Sequence, residues 1–502
     1  MKWLVTKTPE QVGGDLYTGA LPQTPPLQPC DSAGQPCPAS ASARRRLLSS
    51  RATDATRPSC PTCSGILMAI ILLVASCTPK NVFVADELPE IYPDYIGVTV
   101  PSSMQSLPFR MADGRKFKAD EKRVGDTLWI SVTAWNKGSK VATQYAPFFI
   151  AFSHDPIDPY ISYRLIEPGY ENWHDMGIYQ RELASFDESP VVTNQVNNRG
   201  CVNCHNYDSG NPDRFLFHAR GAGGGTVFVD GDSVKLVNLT KVGAMMQGVY
   251  PAWHPDGRYV VFSSNKTFQS FSVAGTQPIE VFDAYSDLIV MDLESGETSL
   301  VPGAAEAHQL ETFPGWSPEG DKLYYCSAAG DTVNCEERAS IHYKLMSLNF
   351  KDGEFVGEPC EVLGGDDFSV SFPRVYGDKL IYTKSAYGTF PIWHREADLW
   401  MLDLTTGGNH PLTELNSEDT ESYHSWSSEG KWIVFSSRRD DGRYTRLYLA
   451  HYKGDGHFDK PFMLPQRKPE YNQYRYQSYN IPEFMRGKVA DRSAKYKKLF
   501  EQ

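Results

Sequence analysis

Long apolar runs are scarce in this 502-residue chain. The longest, Ile66–Ala75, has ten residues, well short of the about 20 that a membrane-spanning helix needs. A bundle of spanning helices is excluded. Positive charge is also in deficit, with 49 Lys and Arg against 61 Asp and Glu, a net −12. Residues 77–502 are more acidic still, with 42 basic against 57 acidic side chains. Such a chain offers no general surface for nucleic-acid phosphates. The exception is the tail, where Lys488, Arg492, Lys495, Lys497 and Lys498 cluster on a predicted solvated helix. No zinc-protease HExxH pair, Walker loop or Ser-His-Asp signature occurs, so no rival chemistry is offered. Gly221–Gly225 is glycine-rich but lacks the following Lys-Ser/Thr of a phosphate loop.

What the chain has in quantity is turn-forming and aromatic residues. It carries 40 Gly and 34 Pro, is 12% aromatic and 41% hydrophobic, which favours many short strands and rules out global disorder. The length allows two to three domains.

The run Ile66–Ala75 has the size of a signal-peptide core. Its end, Val74-Ala75-Ser76-Cys77, resembles a bacterial lipobox, which implies lipidation of Cys77 and a membrane anchor strengthened by more than one acyl chain. The nearest basic residue upstream is Arg57, and 65 residues precede Ile66. The expectation is a start site assigned too far upstream, or else a long presequence. Residues 1–76 are thus read as leader and 77–86 as an anchored linker. The predicted location is the bacterial cell envelope, on the periplasmic or surface side of a membrane, with the outer membrane favoured.

Ten cysteines occur, four of them (Cys30, Cys37, Cys60 and Cys63) in the leader. Cys326 and Cys335 flank a predicted hairpin, where a disulfide and two free thiols are equally open, and Cys360 has no obvious mate. The sharpest signal is Cys201-Val202-Asn203-Cys204-His205. It reads as a c-type haem attachment motif: two thiols three apart reach the vinyl groups, and the adjacent His supplies the proximal iron ligand. A zinc site would need a second ligand pair, a thioredoxin-type pair would need a βαβ context, and a plain disulfide stays open. Turn-rich flanks, Asn197–Gly200 and Asn206–Gly210, predict that the motif lies on a loop. His218, in Phe215-Leu216-Phe217-His218, is the expected distal ligand. Met176 is the alternative, with His174 a further local choice.

Internal repeats are visible downstream. Tyr250-Pro-Ala-Trp253-His-Pro-Asp-Gly257, Phe313-Pro-Gly-Trp316-Ser-Pro-Glu-Gly320 and Tyr423-His-Ser-Trp426-Ser-Ser-Glu-Gly430 each precede a strand-like run. Phe372-Pro-Arg-Val375 is a degraded copy, and the aligned positions are spaced 63, 59 and 51 apart. A hairpin plus two further strands per period is the pattern of a β-propeller blade. These residues resemble the TolB-like (WD40-like) propeller family over about 225–465. In that pattern His254 takes the usual Ser position and reads as structural.

The expected fold is therefore all-β: a six-bladed propeller, within a range of five to seven, preceded by a small β-domain and a haem-motif loop. The expected boundaries are 87–198 for the small domain, 199–224 for the loop, 225–465 for the propeller and 466–502 for the tail. The aromatic run Tyr471, Tyr474, Tyr476 and Tyr479 is expected to pack on the propeller. The whole arrangement looks like exported propeller lipoproteins with one haem motif. The expected function is a lipid-anchored cytochrome carrying one covalent haem c, with the propeller as docking platform for a redox or envelope partner in electron transfer. One haem stores one electron, which suits relay. The alternative is a non-redox module binding envelope proteins or glycans, with Cys201 and Cys204 disulfide-bonded. A weaker third reading is a haem enzyme with an open iron site, for which the sequence identifies no catalytic residue.

Overall fold

Short apolar runs cut by Gly, Pro and Asp leave the backbone few options besides strands and tight turns. The computed structural model of the chain describes Pro79 and residues 81–501, apart from 105, 168–174, 222, 240–246, 272–278 and 331–337. These belong to the compact unit Ala75–Gln502. Cys77, His174 and Cys335 lie outside the described residues. Among the described residues, no helix is long and apolar enough to cross a membrane.

The first sheet has six strands. Thr127–Trp135 lies at its centre, beside Lys116–Val124, Val141–Gln144 and Phe148–Ser153. Alternation sets its faces: Ile130, Val132, Ala134, Phe148 and Ile150 are buried, while Trp129 and Phe149 point outward. The inward face shares one apolar core with Trp432, Val434, Leu447 and Leu449 of the propeller.

The propeller follows. Tyr160–Ile166, Gly177–Glu182 and Glu188–Thr193 form a sheet whose fourth strand, Ser478–Met485, comes from near the C-terminus. That pairing, Tyr479 opposite Leu165 and Met485 opposite Tyr160, ties the two ends of the ring together. The strands Val202–Tyr207, Gly248–Trp253, Gln309–Trp316, Ser369–Tyr376, Glu421–Trp426 and Ser478–Met485 stand side by side around the channel. Tryptophans stitch neighbours together: the Nε1–H of Trp253 donates to the Asn206 carbonyl at 3.2 Å, Trp316 to Ala252 at 3.2 Å and Trp426 to Arg374 at 3.3 Å. His254 packs edge-on against Trp316 and its Nε2 bonds the Gly320 carbonyl at 2.8 Å. Gly320 has φ +74°, and a Cβ there would come within 2.4 Å of the His254 ring, so this turn requires glycine.

Two parts of the expected fold are corrected. Neither six blades nor the range of five to seven is what the hydrogen bonding gives: from Val202 to Met463 the strands form a four-bladed propeller, with sheets of four, eight, four and five strands. The repeats carrying Trp253 and Trp316 merge because the 14-residue strand Ile279–Asp292 pairs in parallel with the next unit at Ser286 and Leu310. The haem-motif loop is corrected as well, since Val202–Tyr207 is a strand of a propeller sheet, paired with Arg214–Ala219. Turns occur at 197–199 and Asp208–Gly210, but the motif between them runs in a strand whose ladder is interrupted at Cys204 and His205.

At the C-terminus, Tyr479 is buried whereas Tyr471, Tyr474 and Tyr476 are exposed. The helix Ser493–Phe500 buries Tyr496, and Arg492 and Lys495 pair with Asp213 and Asp232, each at 2.8 Å. The basic tail is thus partly neutralised by the propeller itself.

Two measurements check this packing. Trp253→Phe removes an inter-strand donor from a buried site and is expected to cost about 1–3 kcal/mol in urea unfolding; Trp129→Phe, on the exposed face, should stay within about 0.5 kcal/mol. Burial, aided by Asp287 and Glu306, pushes Glu311 up from 4.5 to about 8. Its contribution is present below pH 4.5 and is lost as pH rises through about 8. Glu311→Gln is therefore expected to flatten a decline in stability between about pH 5 and 8; an unchanged slope would contradict this.

Candidate functional site

The motif strand does not run straight. The register against Arg214–Ala219 breaks between Asn203 and Asn206, and Cys204 sits there with φ +49°. A left-handed non-glycine residue costs of order 1–2 kcal/mol and persists where the surroundings impose it. The same bulge recurs in the neighbouring channel strands, at Tyr250, Phe313, Phe372, Tyr423 and Ile481. At those positions the aromatic rings stack into the throat: Tyr250 on Phe313 at 4.6 Å, Phe313 on Phe372 at 3.9 Å, Phe372 on Tyr423 at 4.7 Å. The motif strand offers a thiol at that position in place of a ring.

Cys204-His205-Asn206-Tyr207 is therefore a further copy of the repeat, aligned with Tyr423-His424-Ser425-Trp426, and Asn206 receives the Trp253 indole as Ala252 receives that of Trp316. The signal was present in the sequence. Tyr207 lies 46 residues before Trp253, close to the repeat spacing, but Cys in the aromatic position hides the likeness.

The internal comparison separates His205 from an ordinary repeat histidine. His424, at the same position, donates its Nε2–H to the Ile381 carbonyl at 2.9 Å. His205 is 2% exposed, yet neither ring nitrogen has a hydrogen-bond partner. Its closest carboxylate oxygen is Oε2 of Glu483, 3.9 Å from Nε2, too long for a hydrogen bond. Burial, then the Arg164 charge, push the imidazole down to about 3, against a weak opposing contact with the Ile481 backbone that falls short of a well-formed hydrogen bond. Burial also raises Glu483 to about 8, against an opposing bond from the Asn206 amide. At neutral pH the pair is an uncharged imidazole beside an uncharged carboxyl. Cys201 and Cys204 are both buried and both free thiols, and burial raises the Cys204 pKa.

Two cavities meet the motif. Cys201 and Asn203 face an open-mouthed cavity of about 150 Å³, beside Arg164, Arg220 and Tyr423. Cys204 and His205 face a much tighter one of about 20 Å³ with Phe313, Phe372 and Glu483. Tyr250 borders both. The residue types and their spacing, two free buried thiols followed by a neutral imidazole, match a CxxCH-type haem attachment motif, and the two thiols line separate cavities.

The other expected site residues fall elsewhere. Met176 Sδ accepts the Val202 N–H at 3.3 Å, and His218 Nδ1 lies 3.4 Å from Thr226 Oγ1. His218 lines a third cavity with Arg220 and Asn265. Neither Met176 nor His218 borders the cavity that holds His205. Cys326 is a buried free thiol and Cys360 an exposed one. Sequence reasoning missed Glu483 and Arg164, which reach the motif only through ring closure.

No protein-family model matches the chain, and no curated protein matches it. Among solved structures, the chain is similar to an oligogalacturonate lyase in complex with manganese, at 14% identity and a TM-score of 0.37, over 60% of this chain and 73% of that one. It is similar to a puromycin-hydrolysing peptidase of Mycobacterium tuberculosis at 15% identity and a TM-score of 0.31, over 72% and 50%. Prolyl endopeptidases follow at 12% identity and a TM-score of 0.34, over 69% and 41%. The chain spans half or less of the length of these peptidases.

Thiol accessibility tests the site directly. In chain produced without haem-attachment machinery, Cys360 is expected to react rapidly with a thiol reagent, and Cys360→Ser to remove one equivalent from that fast phase. Cys201 and Cys204 should react only on unfolding. Their failure to react even when unfolded without reductant would mean a disulfide.

Proposed function

We propose that this protein is a c-type cytochrome whose haem is held in a propeller channel and that it relays single electrons. Cys201 and Cys204 would hold the porphyrin through thioethers, and His205 would supply the iron ligand. The observation that carries the reading is His205: a fully buried imidazole with no well-formed hydrogen bond at either nitrogen and only a weak contact to the Ile481 backbone, directly after a thiol that a backbone bulge turns into the throat. The repeat histidine His424, by contrast, holds the Ile381 carbonyl through Nε2 and leaves only Nδ1 without a partner.

Haem c, when bound, supplies a one-electron couple whose potential follows its ligands and surroundings. The chain's own residues prepare the place. Burial keeps His205 neutral and so able to donate a nitrogen lone pair. Tyr250, Phe313 and Phe372 exclude water from its side of the strand. The leader ending in Cys77 supports export and lipid anchoring at the cell envelope, with the propeller rim as the docking face for a partner protein.

Full-length protein from a host with a cytochrome c maturation system is expected to give a pyridine haemochrome spectrum of haem c, and Cys204→Ser to lose or shift that band. Absence of the band from the wild type would end the reading. His205→Ala should alter the iron ligation. Met176→Ala and His218→Ala are expected to leave the spin state unchanged, because both side chains are engaged elsewhere. A high-spin spectrum in His218→Ala alone would instead make His218 the sixth ligand.

A further inference from the structure

The larger cavity carries a charge pattern that the thiols and the imidazole do not explain. Arg164, Arg220, Arg438 and Arg443 all line it, and Glu167 is the one carboxylate among its described lining residues. Arg164, Arg220 and Arg443 form no ion pair with any described residue, although Arg164 has the Asn480 amide oxygen at 3.3 Å. Arg438 is 6% exposed. It donates to the Ile392 carbonyl at 3.4 Å and to that of Gly442, and its nearest carboxylate, Asp419, is 3.9 Å away. The Nε–H groups of Arg164 and Arg438 are buried with no acceptor. Leaving a charged donor unsatisfied in a buried site is costly, and a chain that is acidic overall gives no general reason for four like charges to converge. Guanidinium groups match carboxylates in two-point fashion. Four aromatic side chains, Tyr250, Phe390, Trp393 and Tyr423, line it among smaller aliphatic and polar ones, and Arg438 lies over the Trp393 ring at 5.2 Å.

We propose that this mouth is a binding site for the carboxylates of a polycarboxylate ligand with a planar body, anchored by Arg164 and Arg438, with Arg220 and Arg443 at the rim. The carboxylates have two possible sources. One is the propionates of a haem attached through Cys201 in the same cavity, which rests on the cytochrome reading; the other is a free polycarboxylate, which does not.

The test is calorimetric titration of the full chain with benzene-1,3,5-tricarboxylate, against the neutral triol of the same ring. Haem-free chain is expected to bind the tricarboxylate and not the triol. Arg164→Gln and Arg438→Gln should each weaken binding at least tenfold. Arg443→Gln, an exposed position that spares the fold if Arg438→Gln does not, should weaken it severalfold. Tricarboxylate binding no tighter than triol binding, or arginine variants that bind like the wild type, would overturn the proposal. Repeating the titration on haem-loaded chain separates the sources: loss of binding assigns the arginines to the propionates, and retention assigns them to a free ligand. A pyridine haemochrome assay on the same preparation reports the cytochrome reading separately, so either idea can fail alone.

Discussion

A left-handed bulge in the channel-facing strands is the constraint on which the ring and the site both depend. It recurs at Cys204, Tyr250, Phe313, Phe372, Tyr423 and Ile481. Each bulge breaks the two-residue alternation of its strand, so a side chain that the ladder would send to one face enters the throat instead. Where that side chain is aromatic, the rings stack and seal the throat. Where it is Cys204, the seal is replaced by a thiol with His205 next to it, and a position built for packing becomes one fit for chemistry.

Ring closure supplies what the motif strand lacks. Glu483 comes from the final strand and Arg164 from the strand paired with it, more than 200 residues apart in sequence from one another. Together they set the charge around His205: burial and Arg164 disfavour the imidazolium, and burial keeps Glu483 protonated through neutral pH. The site is therefore electrically quiet at His205 and cationic at the channel mouth. This gradient suits a neutral nitrogen ligand on one side and an anionic group on the other.

Much of this was legible in advance. The strands Thr127–Trp135 and Phe148–Ser153 follow from alternation, the hairpins from their Pro-Asp-Gly turns, and the repeat from its tryptophans. The Cys201, Cys204, His205 spacing was visible without any fold. What could not be read were facts of long-range pairing. The merging of two repeats into one eight-stranded sheet rests on a single bridge at Ser286 and Leu310, which leaves no sequence mark. The motif was expected on a loop because its flanks are turn-rich, while Cys in an aromatic's place concealed its kinship with Tyr423-His424. His218 looked well placed for a distal ligand by separation along the chain, but its strand sends it to a different cavity.

The central claim is that Cys201 and Cys204 carry a covalent cofactor rather than a bond to each other. The intact mass of the exported, mature chain tests it most directly, measured after denaturation so that only covalent attachments survive. The account predicts the mass of the lipidated mature polypeptide plus one haem, with the haem mass lost when Cys201 and Cys204 are both replaced by Ser. A mature chain lighter than its reduced form by two hydrogens, with no haem attached, would show a disulfide in that place and contradict it.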